Sequence, residues 1–163
     1  MLFTHRIAET TNFNGSKVLI DPLFKRVDVE VMGEGDDSQN PRRWGNYSHE
    51  RGVITLWPWK AGGDIVALRG AFAHEAGHAH HHWFSKNRRW IWDLWKEEVW
   101  PSLVKEGLID GYAAVSAMEG WAEIYRLSIG CRFQRGAATK GEWQFSPAAA
   151  QALETWARLV ARV

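Results

Sequence analysis

From Ile65 to about Ser85 the chain holds no proline, and Ile65, Leu68, Phe72, Ala76, Ala79 and Trp83 recur at helical spacing. Gly62 and Gly63 break the chain ahead of this stretch, and Asp64 is a good N-cap for it. A long helix here limits the rest of the fold, because it also carries His74-Glu75-Ala76-Gly77-His78, an H-E-x-x-H pattern. Residues four apart on a helix lie ~40° apart around its axis, so His74 and His78 project from one face. Two imidazoles so placed can hold one zinc ion at ~2.0–2.1 Å each. Glu75 falls a further ~100° round the helix, beside the ion rather than on it, where it can take a proton from a water on the metal.

A zinc site that works on a substrate needs a third protein ligand and an open position. The extension H-E-x-x-H-x-x-G-x-x-H would require Gly at position 81 and His at position 84; the chain has His81 and Phe84, which excludes that class. The other common solution is a Glu from a later helix. Glu119 is the best candidate, with Glu123 one turn on and apolar Trp121, Ala122 and Ile124 between and beside them. In this reading Glu119 binds zinc, and Glu123 accepts the outer ring N–H of a ligating His and fixes its tautomer. Ser116-Ala-Met-Glu119 is also a capping box, in which Glu119 would reach back to the Ser116 N–H. The upstream need for a carboxylate favours the ligand.

Around these positions the chain resembles a known family. Tyr112, then Glu-Gly-Trp-Ala-Glu-Ile-Tyr-Arg at 119–126, is similar to the gluzincin family of the anthrax lethal factor catalytic domain and the Pro-Pro endopeptidases. That family's pattern is H-E-x-x-H, then a Tyr, then E-x-x-A-E-x-[FY]-R, met here by His74, Glu75 and His78, by Tyr112, and by Glu119, Ala122, Glu123, Tyr125 and Arg126. The resemblance runs from about residue 53 to the C-terminus in short matches, and residues 1–50 match nothing. It implies a zincin-like metalloprotease domain with one Zn2+ per chain on His74, His78 and Glu119. It also implies Glu75 as general base and Tyr112 as electrophilic partner. A phenol is a hydrogen-bond donor at pH 7 and suits an oxygen that becomes negative during peptide attack. A secreted or toxin-like setting is a further implication, although Met1 to Glu9 lacks the apolar core of a signal peptide.

The remaining stretches are consistent with an α+β chain. A length of 163 residues suits a single domain, with 1–62 mainly strands and loops and 63–163 mainly helical. Lys17 to Asp21, Arg26 to Met32 and Gly52 to Trp57 read as strands, and Gly33 to Asn46 as a surface loop. Gly52 to Trp57 is a candidate edge strand for pairing with an extended peptide or protein substrate, or else an ordinary buried strand. Trp57 and Trp59 read more readily as core than as lining of a subsite. Helices are expected over Trp90 to Trp100, interrupted by Pro101, over Ser116 to Ile129, and from Ser146-Pro147 to the C-terminus. The last would bury Ala150, Leu153, Trp156, Leu159 and Val160.

A formal charge of +1 gives no reason to expect nucleic acid or an anionic membrane as partner, and no run nears the ~18 apolar residues of a membrane span. Cys131 is the only cysteine, so no intrachain disulfide can form and the fold rests on packing or metal. Eleven Trp point to a dense aromatic core, with an aromatic cleft as the alternative. His80, His81 and His82 read as a solvated or hydrogen-bonded helix end; His5 and His49 have no partner pattern. The expected function is a zinc-dependent endopeptidase. The alternatives are a non-catalytic module held together by zinc and a hydrolase of non-peptide substrates.

Overall fold

The computed structural model describes residues 10–11, 17–18, 27–33, 44–131 and 143–162. The strand expected at Lys17 to Asp21 is seen at Lys17–Val18 (β2), antiparallel to Thr10–Thr11 (β1). Its remaining residues, positions 34–43 of the expected loop, and His5 lie outside the described residues.

A second sheet has three strands, Asp28–Val31 (β3), Gly45–Ser48 (β4) and Val53–Leu56 (β5), in the order β3-β5-β4. β5 runs parallel to β3 and antiparallel to β4. Of the two readings of this strand, edge or ordinary buried strand, the second holds: it is the central one, bonded on both sides. Among the described residues the edges of this sheet are β3 and β4. The expected loop hid β4 because Gly45-Asn-Tyr-Ser has little intrinsic strand preference. Pairing of Gly45 to Leu56 through Ser48 to Val53 makes it a strand. Gly52, at φ 67°, closes the turn between them, and its N–H donates to Ser48 O at 2.7 Å.

The expected long helix is present as α1, Ile65–Asn87, with the Asp64 carboxylate accepting from the N–H groups of Val66 and Ala67. Periodicity located the helix but not its faces. Ile65 is exposed, whereas Ala67, Ala71, Ala73, Ala76, Ala79 and Phe84 are buried. The helix is covered by the sheet and by α4 (Ala117–Ser128), so its buried residues do not form one stripe.

After α1 the chain forms α2 (Arg89–Leu94), a π turn (Trp95–Val99) and α3 (Trp100–Lys105). Pro101 was expected to interrupt this helix, and it does not. Proline has no N–H for the preceding turn and crowds its carbonyl. The widened π turn just before it relieves that conflict, so the backbone continues. α5 spans Pro147–Val160, capped by Ser146 as expected, but its buried face is Ala149, Ala152, Trp156 and Leu159. Ala150 is exposed, and Leu153 and Val160 are half-buried. Trp156 and Leu159 are buried as expected; a run of alanines carries no periodicity, so Ala150 was taken for the buried one.

Four of the tryptophans, Trp57, Trp95, Trp121 and Trp156, are buried in the core. Trp121 is the node, with ring centroids 5.2 Å from Phe84, 5.5 Å from Trp156 and 5.6 Å from Trp95. Truncating such a ring to Ala costs about 3–5 kcal/mol. Indole N–H groups also tie down the segment leading into α4. Trp95 donates to Ala117 O at 2.8 Å, Trp100 to Ala113 O at 3.1 Å and Trp143 to Leu108 O at 2.8 Å. Among the described residues, no helix is long and apolar enough to cross a membrane.

Candidate metal centre

The site is made where α1 crosses α4; one glycine sets how closely the two helices approach, and a second sets how closely α4 packs on Trp100. A side-chain carbon at Gly77 would stand 2.6 Å from Ala122 Cα and 2.8 Å from Ala122 O, far inside contact distance. One at Gly120 would meet the Trp100 ring at 2.7 Å. With hydrogen at Gly77 the backbones of α1 and α4 touch, and short side chains reach across. The glycine inside His74-Glu75-Ala76-Gly77-His78 thus has a structural purpose that the motif alone did not reveal.

Across this contact His74 and His78 meet Glu119. His74 Nε2 and His78 Nε2 are 3.0 Å apart, and Glu119 Oε2 is 3.1 Å from the first and 3.4 Å from the second. Three ligand atoms on a tetrahedral ion with arms of ~2.0–2.1 Å would be ~3.3 Å apart. The observed triangle is close to that. Glu119 Oε2 is buried and makes no aligned hydrogen bond despite its two near neighbours, as expected where lone pairs point at a common centre. Burial pulls the Glu119 carboxyl upward, and the imidazoles of His74 and His78 more than reverse it, holding it below the ordinary carboxylate range. The three residues form a group able to bind a metal ion, and among the described residues no fourth His, Cys, Asp or Glu joins them. The capping reading also holds in part: the Ser116 hydroxyl accepts the Glu119 N–H at 3.2 Å, while the carboxylate reaches the imidazoles.

Glu123 lies where expected. His74 Nδ1 donates to Glu123 Oε1 at 2.7 Å, which leaves the Nε2 lone pair directed at the other two ligands. Glu123 is in turn gripped by the fully buried Arg126, Nη2 to Oε2 at 2.8 Å and Nε to Oε1 at 3.4 Å. Arg126 Nη1 donates to Cys131 O at 2.7 Å and to Gln144 Oε1 at 3.1 Å. This fork holds the Glu123 carboxylate in place. Removing one partner of such a buried pair costs about 3–5 kcal/mol. Arg126 stood in the matched sequence pattern without a role, and Gln144 gave no signal at all, since the two lie 18 residues apart in sequence.

Glu75 and Tyr112 face the same cleft from different elements. Glu75 is half-buried on α1 and lies against β4; a side-chain carbon at Gly45 would stand 2.9 Å from its Cγ. Tyr112 sits in the 3-10 turn Gly111–Ala114, which Gly111 enters at φ 58°, with Asp110 accepting the Gly111 N–H at 2.6 Å. Its ring centroid is 5.6 Å from that of His74, and the residue is 40% exposed. Burial raises the Tyr112 phenol pKa, and Glu119, Glu75 and Glu123 raise it further, so it remains a protonated donor.

The histidines after the motif correct another expectation. They do not end the helix, and two are interior. His80 is buried among Phe84, Trp121, Tyr125 and Trp156, and its Nδ1 accepts from Trp121 Nε1 at 3.0 Å. Burial, then the neighbouring His81, push its pKa down to about 3. His81 is buried against Trp92, its pKa also lowered to about 3, mainly by burial. Only His82 keeps the expected character, half-buried and hydrogen-bonded to Tyr47. Trp57 is core, as expected, whereas Trp59, also expected in the core, is exposed, with Lys60 Nζ 5.0 Å above its ring.

No protein-family model matches the chain, and it shows no significant similarity to a curated protein or to a solved structure.

Proposed function

We propose that this protein is a zinc-dependent endopeptidase of the gluzincin kind, the family it resembles at Tyr112 and at 119–126. The observation that carries the proposal is the convergence of His74, His78 and Glu119 within 3.4 Å across the Gly77–Ala122 contact. His74 Nε2, His78 Nε2 and a Glu119 oxygen would hold the ion. Once bound, zinc makes a water acidic near neutral pH and polarises a carbonyl. Glu75 takes the proton of the attacking water and passes it to the leaving amine. Tyr112 donates its hydroxyl to the carbonyl oxygen as that oxygen gains charge. Glu123, fixed by Arg126, keeps His74 in the ligating tautomer.

The strand β4 lies beside Glu75, at one edge of the three-stranded sheet among the described residues. A three-residue ligand set also supports a site with an open position over a purely structural one, which closes its fourth position with protein. The test is zinc content together with cleavage of a mixed peptide library, wild type against Glu75→Gln. The expected result is zinc in both and cleavage only in the wild type. Equal cleavage by the two proteins would defeat the mechanism.

A further inference from the structure

Beyond the metal centre, α1 carries a second set of imidazoles. His81 and His82 follow one turn after His78, and His49, on the exposed turn between β4 and β5, lies over them. The His49 ring centroid is 4.8 Å from that of His82 and 5.4 Å from that of His81. The corresponding spacing in the His74–His78 pair is 4.7 Å.

Three features distinguish this set from casual ring packing. First, His81 is only 4% exposed, and its imidazole shares a hydrogen bond with the His78 backbone one turn back. A backbone bond on one ring nitrogen fixes the tautomer and leaves the lone pair on the other. Second, Tyr47 Oη lies 2.8 Å from His82 Nδ1. An ion on His82 Nε2 leaves the proton on Nδ1, where the Tyr47 oxygen accepts it, much as Glu123 does for His74. Third, burial first, and then neighbouring cationic or imidazole groups, hold His49, His81 and His82 below the usual histidine pKa, so all three are neutral at pH 7. Neutral imidazole is the ligand form.

We propose that His49 and His82, backed by the buried His81, form a second site for a borderline divalent transition ion such as Zn2+, Ni2+ or Cu2+, with water completing the coordination. Imidazole sites favour these ions over Mg2+ or Ca2+. The nitrogens do not already converge as those of the first site do. His49 supplies the adjustment, because it stands on an exposed turn. The midpoint of His81 and His82 lies ~8 Å along the helix from that of His74 and His78, so the two ions share no ligand.

The test uses the full chain, stripped by chelator and titrated with Zn2+ alone, reading bound metal per chain. The wild type takes up two equivalents, the second more weakly. His49→Asn and His82→Asn each lose the weaker equivalent and keep the tighter one; His49, on its exposed turn, can be changed without disturbing the core. Glu119→Ala loses the tighter equivalent and keeps the weaker. Cu2+ bound to Glu119→Ala shows nitrogen couplings in its electron paramagnetic resonance spectrum, which weaken in His49→Asn/Glu119→Ala. Saturation of the wild type at one equivalent overturns the second site, as does a second equivalent that survives both His substitutions. Either result leaves the first site standing. Failure of Glu119→Ala to lower the tight equivalent counts against the first site alone.

Discussion

His74 and His80 are separated by less than two turns of α1, both buried, and they have opposite chemistry. The difference comes from α4, which presents two stripes to α1. Glu119 and Glu123, one turn apart, face His74 and His78; Trp121 and Tyr125, also one turn apart, face His80. Opposite carboxylates an imidazole orients a lone pair toward a shared point. Opposite indole and phenol rings it becomes a neutral core residue that accepts one N–H. Identity of the residue type says little, and the facing stripe decides.

The comparison can be broken most decisively at the first stripe. Glu75→Gln should lower peptide hydrolysis about 10²- to 10⁴-fold, the usual range for losing a general base, with zinc content unchanged by metal analysis. A rate near wild type would remove Glu75 from the chemistry. Glu123→Gln should weaken zinc binding about 10- to 100-fold, as loss of a carboxylate behind a ligating His does. Competition with a chelator of known affinity measures this, and an unchanged affinity would make Glu123 merely a partner for Arg126.

The contact that brings the stripes together comes next. Gly77→Ala places a carbon 2.6 Å from Ala122 Cα, so the helices must separate. The expected loss is about 1–3 kcal/mol by denaturant unfolding, together with weaker zinc binding. Full stability and affinity would show that the close approach is not needed.

The second stripe is tested by pH. His80 and His81 have folded pKa values near 3, below the unfolded 6.5. The unfolded chain therefore binds more protons in this range. Their contribution is intact above pH 6.5 and is lost as pH falls from 6.5 toward 3, at up to about 1.4 kcal/mol per unit for each group. His80→Gln retains an acceptor for Trp121 Nε1 and does not titrate, so its stability should fall less steeply on acidification. Parallel curves for the two proteins would mean that His80 does not stay neutral in the fold.

Much of the candidate metal centre was legible because residues that share one face of a helix obey a fixed period. His74 and His78 at one turn, and Glu119 and Glu123 at one turn, can be read without knowing where the helices go. The α+β organisation and the Asp64, Ser116 and Ser146 caps were legible for the same reason, being local. What escaped depends on partners distant in sequence. β4 is a strand only because β5 lies beside it, and Pro101 is tolerated only because the π turn precedes it. Gln144 reaches Arg126 from another segment, and His49 meets His81 and His82 through a hairpin.

For α1, the residues alone determined that two imidazoles and a carboxylate would share one helix and where a third candidate ligand was to be sought. Only the tertiary structure decided that Gly77 and Ala122 would meet at backbone distance, bringing His74, His78 and Glu119 within 3.4 Å while His80 was turned into the aromatic core. Periodicity fixes directions around a helix axis, whereas the distance between two axes is set by the side chains that pack between them.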